Sequence, residues 1–335
     1  MNKLSIDEIK SIIKENYNID NAYITKINRG NADIYLIETK NNKFVLKYYQ
    51  SSYIKEEIDN EFNVINHLNK KGIKVPKYLL TNDNEPSLIY KNQVLIMQYF
   101  IEGIIKEKNQ GSENEIIESA KYLGKIIKAL EDFNNNDSFD EAEWYKLNPE
   151  IAQNKIEELL NKLPDSDENA EIIKTDLNKK LDIINKMKDF DIKNIDKVSV
   201  KYTHGDYGVM QFIYDDNNKI KAILDFATAT YMPIVWEIIR SYSHIDKECI
   251  DGNLNIDNLI KYINEFKKYV PLNKYDLEYM PYIYLNQLLK STFGYKSYVL
   301  YNNLDLLKVG ILRTKIVVYL YENLKEISNR LIEEC

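Results

Sequence analysis

The order of segments in the first hundred residues constrains the fold most. Three β-rich stretches, Ala22 to Ile27, Asp33 to Thr39 and Lys43 to Tyr49, come before a single amphipathic helix. Three more extended stretches follow it, Lys77 to Thr81, Ser87 to Tyr90 and Gln93 to Tyr99. Asn41-Asn42 is a hairpin signal between the second and third stretches. In the helix, Ile54, Ile58, Phe62, Ile65 and Leu68 recur at helical spacing until Gly72 ends it. Ahead of all this, Ser5-Ile6-Asp7-Glu8 reads as a capping box opening a short helix to about Tyr17.

Beyond Phe100 the pattern turns helical. Apolar stripes run over Glu113 to Phe133, Ile151 to Leu163, Ala170 to Met187, Pro233 to His244, Ile256 to Tyr269, Leu277 to Val299 and Leu304 to Glu333. There is no internal repeat and no Gly/Ser-rich linker. The expectation is therefore an α+β, bilobal chain, with a small antiparallel β lobe over residues 1–99 and a large helical lobe over 100–335.

Charge and composition narrow the function. With 45 Lys and Arg against 52 Asp and Glu, the net charge of −7 and the lack of a basic block argue against nucleic acid or an anionic membrane as partner. The first residues have no apolar core of a signal peptide, and no stretch reaches the roughly 20 apolar residues of a membrane span. Cys249 and Cys335 lack metal-ligand spacing, so a reducing cytoplasm is expected.

Two groups of residues suggest phosphate chemistry. Alternation along Lys43 to Tyr49 puts Lys47 on one face with Val45 and Tyr49, where its ammonium could hold phosphate oxygens. Glu57 and Glu61 lie one turn apart on the following helix, and Glu61, bordering the apolar stripe at Phe62, is the better partner for Lys47. The connection Asn28 to Ala32 carries Gly30 and could fold over phosphates with its amides inward. The second group runs from Val200 to Tyr242: His204-Gly205-Asp206 ends one apolar segment and Asp225-Phe226 ends another. Phosphoryl transfer to a hydroxyl needs a carboxylate at the acceptor, here Asp206, and another on Mg²⁺, here Asp225. His204 is expected to brace the loop rather than act as a base, and His67 and His244 read as ordinary helix residues.

These residues resemble the aminoglycoside phosphotransferase and choline kinase-like family, which shares the bilobal protein-kinase-like fold. The likeness rests on Val45-Leu46-Lys47, Glu61, the Gly-Ile-Lys-Val-Pro run ending at Pro76, the Leu95 to Gly103 interlobe hinge, Leu123-Gly124-Lys125, and His204-Gly205-Asp206 with Asp225-Phe226. It implies an ATP- or GTP-dependent phosphotransferase using Mg²⁺, whose acceptor is a hydroxyl of a small molecule such as an aminoglycoside, choline or homoserine-like metabolite. It also implies that adenine meets backbone atoms around Gln98 to Phe100, and that Gln211 stands where the family has a metal-binding Asn. The added methylene moves the amide oxygen by roughly 1.5 Å. Glu237 replaces the family's usual Asp, and Ala227 follows Asp225-Phe226 where the family often has an acid. Glu237, Arg240, Tyr242 and the segment Tyr282 to Tyr298 read equally as acceptor-side candidates or as core residues; tyrosines and carboxylates at the acceptor would suit an amine. The change at Gln211 carries a second reading, a catalytically weak or inactive relative with a structural or regulatory, spore-coat-type role.

Overall fold

The computed structural model describes residues 4–27, 32–49, 54–134 and 138–335. Ser5 and Glu8 cap each other's amides at the start of α1 (Ile6–Tyr17), with the Ser5 N–H donating to Glu8 at 2.9 Å. Strands β1 (Tyr23–Ile27), β2 (Asp33–Glu38) and β3 (Lys43–Tyr48) form an antiparallel meander. The sheet continues from β3 to β6 (Gln93–Tyr99), whose far edge pairs with both β4 (Tyr78–Leu79) and β5 (Ser87–Tyr90).

The alternation along β3 separates two environments. Phe44, Leu46 and Tyr48 are buried with Ile9, Ile12 and Ile13 of α1 in a small core of their own. On the other face, Tyr49 joins the main core with Ile58, Val64, Ile65 and Leu68 of α2 (Lys55–Lys70). Gly72, at φ +79°, follows α2, and the Ile73 amide bonds the Leu68 carbonyl at 3.0 Å. That left-handed position suits glycine and turns the chain back toward the sheet.

The remainder is mostly helical: α3 (Glu113–Ala129), a short α4 (Glu141–Tyr145), α5 (Pro149–Lys162), α6 (Ala170–Met187), α7 (Ile234–Ile245), α8 (Ile256–Phe266), α9 (Lys274–Lys290), α10 (Phe293–Tyr301) and α11 (Leu304–Glu334). Between α6 and α7 lie two antiparallel ribbons. In the first, β7 (Val200–Thr203) pairs with β10 (Thr230–Pro233); in the second, β8 (Phe212–Tyr214) pairs with β9 (Ile220–Ile223). Among the described residues, no helix is long and apolar enough to cross a membrane.

The expected small sheet and helical remainder are thus present, with two local differences. The stripe from Leu277 to Val299 is two helices, because the chain turns at Ser291-Thr292. The turn exposes the Ser291 carbonyl, and the buried Lys180 of α6 donates to it at 2.6 Å. Gly294 of α10 then meets Gly310 of α11 so closely that a Cβ at 294 would lie 2.4 Å from the Gly310 nitrogen. The short α4 had no periodic signal; Asp140 caps it by accepting the Glu143 amide at 3.0 Å.

Candidate active site

Strand β3 and helix α2 meet at Lys47. Its ammonium lies 3.8 Å from Glu61 and 3.7 Å from Asp225, so one cation bridges the sheet, α2 and the loop after β9. Glu61 is fully buried, and accepts the Tyr49 hydroxyl at 2.8 Å and the Phe226 amide at 3.3 Å. A buried carboxylate needs such partners to offset its lost hydration. Glu57 lies at the exposed start of α2 and accepts the Ile54 amide at 3.3 Å, so its carboxylate closes the helix end and Glu61 is the one beside Lys47.

The two ribbons deliver the acidic residues. β7 runs into His204-Gly205-Asp206 and β9 into Leu224-Asp225. Gly205 has φ +83°, and a Cβ there would sit 1.9 Å from the Thr228 carbonyl oxygen, so the two loops cross where no side chain fits. The buried His204 ring joins them: Nε2 lies 2.8 Å from the Leu224 carbonyl and Nδ1 accepts the Asp206 amide at 3.2 Å. That pattern assigns the proton to Nε2 and leaves both ring nitrogens satisfied, as a bracing residue requires. Asp225 is left-handed at φ +66°, with its side chain 47% exposed beside Lys47. Such a conformation is uncommon outside glycine and tends to occur at functional positions.

Asp206 is held from both sides. Arg240 of α7 makes an ion pair with Oδ1 and donates to the Tyr207 carbonyl at 3.1 Å, while the Gln211 Nε2 donates to Oδ2 at 3.1 Å. The Leu224 amide bonds the Gln211 carbonyl at 2.8 Å, which sets Gln211 against the segment that carries Asp225. Glu237 of α7 is buried beneath the loop and accepts the Tyr207 amide at 2.8 Å together with the Thr203 hydroxyl. The larger residue at this position therefore holds the loop and does not face an acceptor.

Gln211 spends its amide nitrogen on Asp206 and keeps its amide oxygen, and Asp225 offers an exposed carboxylate. Hard oxygen donors of this kind fit Mg²⁺, which binds through one or two protein groups plus phosphates and water. No cluster of three or more His, Cys, Asp or Glu among the described residues could hold a metal by itself.

The nucleotide-side expectations divide. Gln98 is buried in β6, opposite Val45 of β3 and Tyr78 of β4. The Phe100 amide already donates to the Lys43 carbonyl at 3.0 Å, and the Tyr99 amide to the Lys77 carbonyl at 2.8 Å. Of the backbone atoms around Gln98 to Phe100 where adenine is expected, the Phe100 and Tyr99 amides thus serve to close the sheet edge. Gly30 lies outside the described residues.

On the acceptor side, Tyr242, Tyr282 and Tyr295 turn out to be core residues, bonded to Asp246, the Tyr145 carbonyl and Asp176. Sequence reading missed Lys108 and Arg313, which join Arg240 around Asp206. Burial and the Arg240 and Arg313 charges push the Lys108 ammonium down to about 8. Burial lowers Arg313 from its usual value, and it drives His244 well below the ordinary histidine range, with Lys108, Arg240 and Arg313 adding to the effect. One sequence signal was available. Only four of the 45 basic residues are Arg, at 29, 240, 313 and 330, and two of these meet at this site.

The model of a family described as "Phosphotransferase enzyme family" matches residues 24–257. Comparison with curated protein sequences returns no match. Among solved structures, an aminoglycoside phosphotransferase from Alicyclobacillus acidocaldarius aligns over 98% of this chain and 98% of its own, at TM-score 0.67 and 12% identity. An amicoumacin kinase in complex with AMP-PNP and Ca²⁺ aligns over 96% and 94%, at 0.64 and 14%. A choline kinase from Cryptosporidium parvum aligns over 98% and 98%, at 0.62 and 12%. At these identities the structures show the fold, which is kinase-like.

Proposed function

Since the chain belongs to the phosphotransferase enzyme family and is a small-molecule kinase, we propose that it moves the γ-phosphoryl group of ATP or GTP to a hydroxyl of a small acceptor, with Asp206 at that hydroxyl. The observation that carries this reading is the Lys47 bridge to Glu61 and Asp225, which brings a phosphate-binding cation and a metal-binding carboxylate to one point.

In this reading Lys47 receives phosphate oxygens of the nucleotide, and Glu61 fixes the direction of its ammonium. Asp225, with the amide oxygen of Gln211, would hold Mg²⁺. The cation would neutralise charge on the β- and γ-phosphates. Asp206 orients the acceptor hydroxyl and takes its proton as the oxygen bonds to the γ-phosphorus; the bond from that phosphorus to the β-γ bridging oxygen breaks and the nucleoside diphosphate leaves. Arg240 and Gln211 keep the Asp206 carboxylate from rotating, so its orientation is set before the acceptor arrives. The bonded loops and the retained amide oxygen of Gln211 support a working kinase over a silent relative.

The test is a thermal-shift titration with ATP and GTP, with and without Mg²⁺. Wild type should show a metal-dependent nucleotide shift and Asp225→Ala should not. Absence of any nucleotide shift in wild type would overturn the assignment.

A further inference from the structure

The acceptor end of the site holds more positive charge than its carboxylate can balance. Arg240 pairs with Asp206 and stacks on Trp236, its guanidinium carbon 5.1 Å from the ring centre. Arg313 of α11 stands over the Phe293 ring at 5.3 Å. Lys108 is fixed through its neighbour: Asn109 donates to the carbonyls of His244, Ser243 and Asp246 at 2.8, 2.9 and 2.8 Å, which ties this loop to the end of α7. Each cation is thus placed by its own element. Neither Lys108 nor Arg313 has an ion pair among the described residues. The other groups close by do not supply a strong counter-charge. Glu107 is exposed, and Tyr284 is a neutral phenol bonded to Ser243 at 2.9 Å. Lys180, a further buried amine that Arg313 acts on, donates to the Ser291 carbonyl. The Trp236 indole N–H is buried with no hydrogen-bond partner among the described residues.

Mostly buried cations without a counter-ion are unfavourable, and an arriving anion relieves that cost. The anion in question is not the nucleotide's. The charges acting on Lys108 are those of Arg240, Arg313, Asp206 and Glu107, and those acting on Arg313 are Tyr284, Arg240 and Asp206, whereas Lys47 pairs with Glu61 and Asp225.

We propose that the acceptor alcohol carries an anionic group, a carboxylate or a phosphate ester, which Arg313 and Lys108 receive while its hydroxyl faces Asp206. The proposal rests on the kinase reading for the role of Asp206, but the anion site itself does not depend on turnover. It reverses the expectation of an amine-bearing acceptor. It also sets this chain apart from the choline kinase whose fold it shares.

The experiment pairs binding with turnover. Thermal shift is measured with D-glycerate, D-gluconate and glycerol 3-phosphate as anionic alcohols, and with glycerol and choline as neutral and cationic ones, on wild type, Lys47→Met, Arg313→Lys, Arg313→Gln and Lys108→Gln. At least one anionic alcohol should stabilise wild type, Lys47→Met and Arg313→Lys, while glycerol and choline should not. Arg313→Gln and Lys108→Gln should each weaken that binding about 10- to 100-fold, the loss of one charge-assisted contact. Glycerate or gluconate alone would identify a carboxylate, and glycerol 3-phosphate alone a phosphate ester. Because Arg313→Gln and Lys108→Gln remove repulsion, these two should melt no lower than wild type without ligand; if Arg313→Gln fails to fold, Lys108→Gln decides. No stabilisation by any of the three anions, equal stabilisation by choline, or unchanged anion binding in both Gln variants would overturn the proposal. Phosphorylation of choline but of no anionic alcohol would overturn it too and leave the kinase reading standing. Anion binding without any nucleotide shift would do the reverse.

Discussion

The two ends of the site are built on opposite charge ratios. At the proposed nucleotide end one lysine, Lys47, serves two carboxylates, Glu61 and Asp225. At the proposed acceptor end one carboxylate, Asp206, stands with Arg240, Lys108 and Arg313. The first arrangement has negative charge to spare and suits a divalent cation brought with a polyphosphate. The second has positive charge to spare and suits an anion. In the proposed reading the two ligands would be sorted by the sign of the charge each relieves. His204 connects these ends while carrying no share of either imbalance, since both its ring nitrogens bond backbone groups.

The largest effect is expected at Asp206. Asp206→Asn should lower kcat by about 10²- to 10⁴-fold, the range for loss of a positioned proton acceptor, while nucleotide binding at the other end persists. Turnover at the wild-type rate would take the acceptor role from Asp206. The Asn side chain still accepts from Arg240, so the variant separates chemistry from loop structure.

A second change acts on the crossing between the ends. Gly205→Ala puts a methyl where the Thr228 carbonyl oxygen lies 1.9 Å away, at φ +83°. The clash and the backbone strain together should cost about 2–4 kcal/mol in urea unfolding. A variant as stable as wild type would show that the loops can separate without cost, and that the two charge environments are less tightly coupled than the crossing implies.

The sheet was legible because alternation and turn residues are local. Phe44, Leu46 and Tyr48 could be assigned to one face and Lys47 to the other from spacing alone. Glu61 could be preferred to Glu57 for the same reason, as a helix fixes which side chain borders its apolar stripe. The break at Ser291 was not legible, because what stabilises it is Lys180, 111 positions away. Lys108 and Arg313 escaped notice likewise. One lies in an irregular loop and the other in the longest helix, and only the packing of α7 against its neighbours brings them to Asp206. At the hinge the limit differs: a motif identifies it, but which of its amides are free depends on how far the β3–β6 pairing runs.

The smallest effect, and the one that most sharpens the contrast, is on pH. Lys108 titrates near 8 in the fold, lowered by burial and by Arg240 and Arg313, against about 10.4 for an unfolded lysine. Below pH 8 it is charged in both states, and its charge counts fully against the fold. From pH 8 to about 10.4 the unfolded chain binds more protons, so this residue's contribution to stability rises with pH. Lys180, at about 7, and Lys290, at about 8, act in the same direction, so the quantity to measure is the difference between wild type and Lys108→Met. The charged groups facing Lys108 are Arg240, Arg313, Asp206 and Glu107, and His244 beside it is held well below the ordinary histidine range. Wild type should therefore gain stability relative to the variant across that window in the absence of ligand. A bound anion should reverse the sign by holding Lys108 protonated, so that stabilisation by the anion is greatest below pH 8 and declines above it. A difference between the two proteins that stays flat from pH 7 to 10 would mean that Lys108 keeps an ordinary pKa, and that the excess positive charge at the acceptor end rests on the two arginines alone.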